Sequence, residues 1–116
     1  ELVKASGANY VARSTVAHAH QLATYIERAI TTPGFAFVEA VGNCPTYFGR
    51  RNKLGGPVEM VETLKKNSIT AAAAAKLGSA EVQGKIIIGE FYRGEAPGYI
   101  ELYDGVIERA KEAAGK

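Results

Sequence analysis

The segment that most restricts the possible folds is residues 35–41, FAFVEAV, which directly follow Pro33 and Gly34. Its residues are apolar on both faces of an extended chain, apart from Glu39. This pattern is typical of a strand that helices cover on both sides, as in a parallel sheet. The segment therefore predicts a buried strand of an α/β fold.

The residues before this strand predict an alternation of helices and strands. Residues 1–6 have a helical pattern that ends at Gly7, and residues 9–13, NYVAR, have the composition of a strand. Residues 17–31 form a predicted helix, in which apolar residues recur at helical spacing: Leu22, Ile26, Ala29 and Ile30. The α-β-α-β order indicates a mainly parallel sheet flanked by helices.

The second half of the chain opens with a long loop. Residues 42–57 carry four glycines and two prolines, and a loop of this length inside a compact domain usually has a function. Beyond it, the patterns predict helices at 58–66, 71–75 and 99–114 and a strand at 85–92. We therefore divide the single segment 1–116 into an αβαβ portion (1–42), a functional loop (43–57) and a part with helices, the last strand and the C-terminal helix (58–116).

The composition is that of an ordinary soluble protein, with 47% apolar residues, 22% charged residues and a net charge of +2. So small a charge argues against a nucleic-acid partner, and no apolar run approaches the roughly 18 residues of a membrane helix. The single cysteine excludes an internal disulfide, which predicts a reducing, cytoplasmic location. Because the chain opens at Glu1 inside a predicted helix, we expect a piece of a longer protein.

The single cysteine, Cys44, lies in the loop sequence GNCPTYFGRRNKLG, and three interpretations are open. It can be a buried thiol, since free cysteine behaves as a small hydrophobic residue. It can be a metal ligand, since cysteine followed by proline also occurs where a distant cysteine completes an iron–sulfur cluster. A cluster needs four thiolates, so the other three would come from another part of the protein.

The third interpretation is a nucleophile of the phosphatase type, because Cys44 and Arg50 stand in a Cys-x5-Arg pattern. In such enzymes the loop amides and the arginine bind the phosphate, and Asp104 would be the general acid. Pro45, however, has no N–H group to donate, and Tyr47 is bulky where the backbone must approach closely. The pattern is therefore a poor example of its kind.

Other polar residues predict structural roles. His18 and His20 are two positions apart, which places them on different sides of a helix, so we expect ordinary surface or interface residues. We expect Glu39 to meet a basic side chain or a backbone group. Arg50 and Arg51 are most simply a solvated or subunit-facing patch.

Three stretches resemble the C-terminal part of the β subunit of 2-oxoacid:ferredoxin oxidoreductases, and the 2-oxoglutarate type is the most similar. They are GANYVARSTVAHAHQLATYIERAI, GFAFVEAVGNCPTYFGRRNKLG and KIIIGEFYRGEAPGYIELY. The string CPTYFGRRN is the most specific element. The resemblance extends over essentially the whole chain.

The resemblance implies a thiamine-diphosphate-binding fold, an activity and a set of partners. The family decarboxylates a 2-oxoacid on thiamine diphosphate with Mg²⁺, passes electrons through a [4Fe-4S] cluster to ferredoxin and releases an acyl-coenzyme A. The implied partners are an α subunit, further γ or δ subunits, ferredoxin, a 2-oxoacid and coenzyme A, with no nucleic acid and no membrane. The cysteine of the family's Cys-Pro-Thr-Tyr motif is the fourth cluster ligand, which implies that role for Cys44.

The sequence departs from the complete subunit of this family in what it lacks. The Gly-Asp-Gly motif and the asparagine that bind the magnesium diphosphate are absent, as are the other three cysteines. We therefore expect no catalytic residue and no complete cofactor site in residues 1–116. This segment would supply one cluster cysteine and contacts to other subunits.

The neighbours of Cys44 have implied roles of their own. Pro45 would stiffen the approach to the cluster, and Asn43 and Thr46 would tune its reduction potential. The expected docking patch for a partner subunit or an acidic ferredoxin consists of three basic residues: Arg50, Arg51 and Lys53.

Two other functions remain open from the residues alone. One is a stand-alone cysteine-dependent phosphatase that uses Cys44 and Arg50, and the other is a non-catalytic interaction domain in which Cys44 is inert. We expect the closing strand and helix to form a tail on a neighbouring subunit. Exposed strand edges predict self-association of the isolated segment.

Overall fold

A computed structural model describes residues 1–115, which contain seven α-helices and four β-strands. The elements are α1 (Leu2–Ala5), β1 (Tyr10–Thr15), α2 (Ala19–Thr31), β2 (Ala36–Val41), α3 (Arg50–Asn52), α4 (Pro57–Asn67), β3 (Ser68–Thr70), α5 (Ala71–Ala74), α6 (Ser79–Val82), β4 (Ile86–Arg93) and α7 (Tyr99–Ala114). A 3-10 turn at Val16–His18 precedes α2, and a π-helical turn at Pro45–Gly49 precedes α3. No helix in this part of the chain is both long and apolar enough to cross a membrane.

The four strands form one mixed sheet in the order β2-β1-β4-β3. β1 and β2 are parallel, with Ala12 opposite Val38, and β3 and β4 are also parallel. β1 and β4 are antiparallel, so the central pairing differs from a fully parallel sheet. The α/β class is thus confirmed. The sheet is mixed because β4 begins beside the C-terminal end of β1 and runs in the opposite direction.

The β1-α2-β2 unit is the part that the sequence predicts most closely. Its two strands are joined through α2, as expected of a crossover connection. β2, however, is an edge strand, and Phe37 on it is 39% exposed. The prediction that helices cover β2 on both faces is therefore wrong for the described residues. Helix α2 packs on one face only, where Ala36 and Val38 contact the core.

Two short elements and one helical turn lie where the sequence predicts other structure. β3 and α6 have three and four residues, too few to give a periodic pattern. Within the predicted loop 42–57, residues 45–52 are helical. Thr70 caps the alanine helix α5, since its Oγ1 accepts a hydrogen bond of 3.2 Å from the N–H of Ala73.

The core is centred on Tyr10, which is fully buried and packs with Ala12 and Tyr25. Its hydroxyl donates to Glu90 Oε1 at 2.9 Å, and Glu90 also forms an ion pair with Arg28 of α2. Burial and the bond to Glu90 raise the pKa of Tyr10 to about 12. Partial burial would raise the pKa of Glu90, but the bonds from Arg28 and Tyr10 outweigh it and lower this pKa. This network joins β1, β4 and α2.

A second junction is formed by Asn9, which is 3% exposed at the start of β1. Its Nδ2 donates to the carbonyl oxygens of Pro33 at 2.8 Å and Ala96 at 2.7 Å, and its Oδ1 accepts from the N–H of Ala96 at 2.7 Å. Gly34 has φ +85°, and a Cβ there would lie 2.5 Å from Asn9 Nδ2. Asn9 therefore joins the end of α2, the start of β1 and the link after β4.

The C-terminal helix α7 has no buried residue, and its apolar side chains are largely exposed. Tyr99 and Tyr103 stack on each other with ring centroids 5.8 Å apart. The described residues span 69 × 35 × 24 Å, so the chain is extended along one axis. Packing of this tail on a neighbouring subunit stays a prediction.

We predict that Asn9→Ala lowers the free energy of unfolding by about 2–4 kcal/mol, because it removes three part-buried hydrogen bonds to the backbone of Pro33 and Ala96. Urea titration at neutral pH measures this change. The control is Asn52→Ala, which removes one exposed side-chain bond to the Phe48 carbonyl and should cost less than about 1 kcal/mol. Equal losses in both variants would contradict the role of Asn9.

A second prediction concerns alkaline stability. An unfolded tyrosine has a pKa of about 10, whereas that of Tyr10 is raised to about 12 in the fold. The neutral form is favoured in the folded state, so stability is intact below about pH 10 and falls as the pH rises toward 12.

Tyr10→Phe should remove this part of the alkaline loss, which urea titrations from neutral pH to about pH 11.5 would measure. Tyr25, whose pKa burial also raises, should retain its own smaller share of the loss. The same substitution at the exposed Tyr99 is the control and should leave the alkaline loss in place. An unchanged profile in Tyr10→Phe would count against the Tyr10–Glu90 network.

Candidate functional site

Cys44 lies just beyond the C-terminal end of β2. Because β1 and β2 are parallel and β4 is antiparallel to β1, the C-terminal ends of β1 and β2 lie on the same side of the sheet as the start of β4. Ligand sites of α/β sheets typically lie outside the carboxyl ends of parallel strands. The fold therefore places Cys44 where such a site is expected.

The thiol of Cys44 is exposed, so the buried-thiol interpretation is wrong. Hydrogen bonding from the backbone of Phe48 and Tyr47 and from the hydroxyl of Thr46 lowers the pKa of the thiol. Thr46 Oγ1 is 4.0 Å from the sulfur. These donors stabilise the thiolate, which is the form that binds metals.

The donors come from the helical turn that starts at Pro45. The N–H of Gly49 donates to the Cys44 carbonyl oxygen at 2.8 Å, and the N–H of Leu54 donates to the Gly49 carbonyl oxygen at 3.0 Å. Lys53 then reverses the chain with φ 54°. The first residue of a helix does not need its N–H for a hydrogen bond within the helix, so a proline is favourable there. Pro45 occupies this position in the turn.

A cavity of about 280 Å³ opens beside Cys44 between this turn, α4 and the start of β4. Its wall is mainly apolar and includes Phe48, Leu54, Met60, Leu64 and Ile86. Asn43 also lines it, and its Nδ2 lies 3.5 Å from the Pro57 carbonyl oxygen. The sulfur is thus flanked by a polar turn on one side and an apolar wall on the other.

The three predicted docking residues lie on the outer side of the same turn. Arg50, Arg51 and Lys53 are all exposed. The guanidinium of Arg51 lies 4.8 Å from the centroid of the exposed Tyr47 ring, a cation–π contact. None of the ion pairs among residues 1–115 involves these three cations, so their charge faces solvent.

The turn does not form the anion-binding loop of a cysteine-dependent phosphatase. The N–H groups of Gly49 and Arg50 are already bonded to the carbonyl oxygens of Cys44 and Pro45, so they are not free to bind a phosphate. Neither Arg50 nor Asp104 lines the cavity beside Cys44. The geometry thus speaks against a nucleophile of this type.

The remaining polar residues have the structural roles expected of them. Glu39 pairs with Arg13 Nε at 2.6 Å across β1 and β2. His18 Nδ1 and the buried Thr15 Oγ1 share a hydrogen bond of 2.8 Å, and His20 is exposed. In residues 1–115 no three His, Cys, Asp or Glu side chains come together as a metal site.

The sequence reasoning missed the backbone donors and the role of Met60 in the cavity wall. One signal for the donors is present, because proline directly after a candidate ligand indicates a helix start and hence a set of free N–H groups. Met60 lies on α4, sixteen positions from Cys44, and no local pattern links the two. Only the packing of α4 against the turn reveals it.

Comparison with known proteins found three curated relatives, each described as 2-oxoglutarate synthase subunit KorB. The subunits of Methanothermobacter marburgensis and Methanothermobacter thermautotrophicus are 49% and 46% identical over all 116 residues. That of Methanocaldococcus jannaschii is 45% identical over 107 residues, 92% of this chain. The chain spans 40% of the length of each of these relatives.

No protein-family model and no solved structure matches this chain. The three relatives nevertheless agree with one another and with the resemblance of the quoted motifs. Identity of 45% or more over nearly the whole chain confirms that resemblance. Over all or nearly all of its length, this chain is therefore similar to a segment of the 2-oxoglutarate synthase KorB subunits.

Proposed function

We propose that this chain is part of the β subunit of a thiamine-diphosphate-dependent 2-oxoglutarate:ferredoxin oxidoreductase. The complete enzyme would decarboxylate the 2-oxoacid oxidatively to an acyl-coenzyme A and transfer the electrons to ferredoxin. The observation that carries the proposal is the similarity to three KorB subunits over nearly the whole chain. Because the chain spans 40% of their length, the activity belongs to the complete complex.

Within that complex, Cys44 is one of the four ligands of a [4Fe-4S] cluster. The exposed sulfur with its backbone N–H donors fits a thiolate ligand, and the mainly apolar wall beside it would limit the access of water. A bound cluster would supply one-electron transfer. The other three cysteines come from the rest of the protein, since this chain has only one.

The sheet edge at Cys44 is proposed to belong to a thiamine-diphosphate-binding fold. The parallel β1-α2-β2 unit is consistent with such a fold. Thiamine diphosphate, its Mg²⁺, the 2-oxoacid and coenzyme A would be held mainly by residues outside this chain. Partners are the α subunit and further γ or δ subunits, and the enzyme would work in the cytoplasm.

The basic group Arg50, Arg51 and Lys53 is proposed as the docking patch for an acidic ferredoxin. It lies on the same turn as Cys44, so a docked ferredoxin would be near the cluster. Its cations face solvent, and opposite charges on a partner raise the association rate.

The ligand assignment is tested with the full-length subunit purified without oxygen. We expect Cys44→Ala to lower the iron and sulfide content and to reduce electron transfer to ferredoxin at least about tenfold, since even outer-shell partners cost 10–100-fold when replaced. Thr63→Ala is the control, because this residue lines the same cavity but bonds only to the Glu59 carbonyl.

Unchanged iron, sulfide and electron transfer in Cys44→Ala would overturn the ligand role and leave a non-catalytic interaction domain. Turnover of an aryl phosphate that disappears in Cys44→Ser would instead favour the phosphatase.

The docking patch is tested by reversing its charge in a triple variant, Arg50→Glu, Arg51→Glu and Lys53→Glu. We expect the second-order rate constant of ferredoxin reduction to fall about tenfold or more at low salt, with a smaller difference at high salt, because ions screen exposed charges. The matched control is Lys76→Glu, Lys85→Glu and Arg109→Glu, three exposed cations elsewhere. Equal losses in both triple variants would show a net-charge effect and not a patch.

A further inference from the structure

The C-terminal helix α7 carries one continuous apolar stripe that nothing in the described part of the chain covers. Residues three, four and seven positions apart lie on one face of a helix. The stripe begins with large side chains, Tyr99, Ile100, Tyr103, Val106 and Ile107, and continues with the alanines at positions 110, 113 and 114. Its two tyrosines are 77% and 52% exposed. An exposed apolar surface of this kind marks a contact with another protein surface.

The link before α7 holds this helix away from the sheet of its own chain. Asn9 bonds both the N–H and the carbonyl oxygen of Ala96. Gly98 then packs on the backbone of Gly34, since a Cβ at position 98 would lie 3.5 Å from Gly34 Cα. The radius of gyration is 19.7 Å, against the about 13 Å of a compact domain of 100 residues. The stripe is therefore open to another chain.

The side-chain sizes along the stripe are self-complementary when two copies of α7 lie antiparallel. With Ile107 on the two-fold axis of such a pair, Tyr103 lies opposite Ala110 of the other copy. Ile100 then lies opposite Ala114. Large residues facing small ones let two helices approach closely and interdigitate. A parallel pair would instead place the tyrosines against each other and the alanines against each other.

The charges beside the stripe favour the same register. Asp104 and Lys111 are exposed and seven positions apart, so they lie on one flank of the stripe. In an antiparallel pair related by a two-fold axis, this flank faces the same flank of the other copy. The register set by the side-chain sizes therefore brings Asp104 of each copy beside Lys111 of the other.

The contact is large enough for a small specific interface. Two tyrosines and three aliphatic side chains, all partly exposed, would bury on the order of 500 Å² in each copy. Specific interfaces start near about 1,000 Å² in total. A mainly apolar cavity of about 700 Å³ also opens between the first turn of α7 and Phe35. In the antiparallel pair, the last turn of the other copy's α7 lies beside this cavity.

We propose that α7 is a pairing arm, through which two copies of the subunit associate antiparallel about a two-fold axis near Ile107. This inference names a second copy of the chain as the neighbour of the C-terminal tail. It depends on the sizes and charges of the α7 side chains and not on the role of Cys44. Failure of either proposal therefore leaves the other intact.

The test measures self-association of the full-length subunit, purified without oxygen, by sedimentation equilibrium. Asp104→Lys and Lys111→Asp should each raise the dissociation constant of the dimer at least about fivefold, because like charges then face each other at two symmetric places. The two substitutions together should restore it toward the wild-type value, since they exchange the charges. Ile107→Glu should abolish the dimer, because it puts two carboxylates on the axis. Glu112→Lys is the control, as it reverses an exposed charge outside the stripe and should change the constant less than about twofold.

A wild-type subunit that is monomeric over the micromolar range would overturn the inference, and so would a charge exchange without recovery. If the rest of the same subunit covers the stripe, Ile107→Glu lowers the stability of a monomer. If a different subunit covers it, Ile107→Glu loses that subunit from the purified complex and leaves self-association unchanged. Either result also overturns the inference. Circular dichroism identifies a variant that fails to fold, and if this is Ile107→Glu, the charge exchange decides.

Discussion

The buried side chain of Asn9 is the junction on which the arrangement of the sheet depends. Its amide satisfies backbone groups from the end of the first crossover and from the link after β4. Its own N–H donates to the Phe35 carbonyl oxygen at 2.6 Å, directly before β2 begins. One residue thus sets where β1, β2 and β4 start or end at one edge. Because β1 and β2 pair in a fixed parallel register, their opposite ends, where Cys44 lies, are aligned as well.

At that opposite edge, a short turn provides the polar environment of the site. Backbone N–H groups are dipoles whose orientation is fixed by the fold, and they can stabilise a negative charge without a positively charged side chain. Tyr47 and the basic side chains of the same turn point outward, whereas Phe48 lines the cavity. The surroundings of the Cys44 sulfur and the exposed basic side chains are therefore formed by the same eight residues, 45–52.

Much of this arrangement can be predicted from the residues, and its gaps have physical causes. The long amphipathic helix α2 and the strands β1, β2 and β4 follow from hydrophobic periodicity, within one or two residues of their observed bounds. The direction of β4 does not follow, because an apolar strand has the same pattern in either direction. The exposed Phe37 shows that an apolar strand pattern does not tell which faces of the strand are covered within the described residues. Cys44 as the candidate site residue is predictable from its motif, whereas the packing of Met60 into the cavity wall beside it is a tertiary event that no local pattern encodes.

The exposed position of α7 also has a thermal consequence. Isolated helices of about 12–15 residues are marginal in water, and this helix of 16 residues buries no side chain in the described part of the chain. Its local support comes from the Glu101 carboxylate, which accepts from the Gly98 N–H at 2.8 Å, and from the Glu108–Lys111 pair. Such contacts weaken with heat and salt well before a buried sheet does. On heating, the C-terminal end should therefore melt in a broad early phase, separate from the cooperative loss of the sheet.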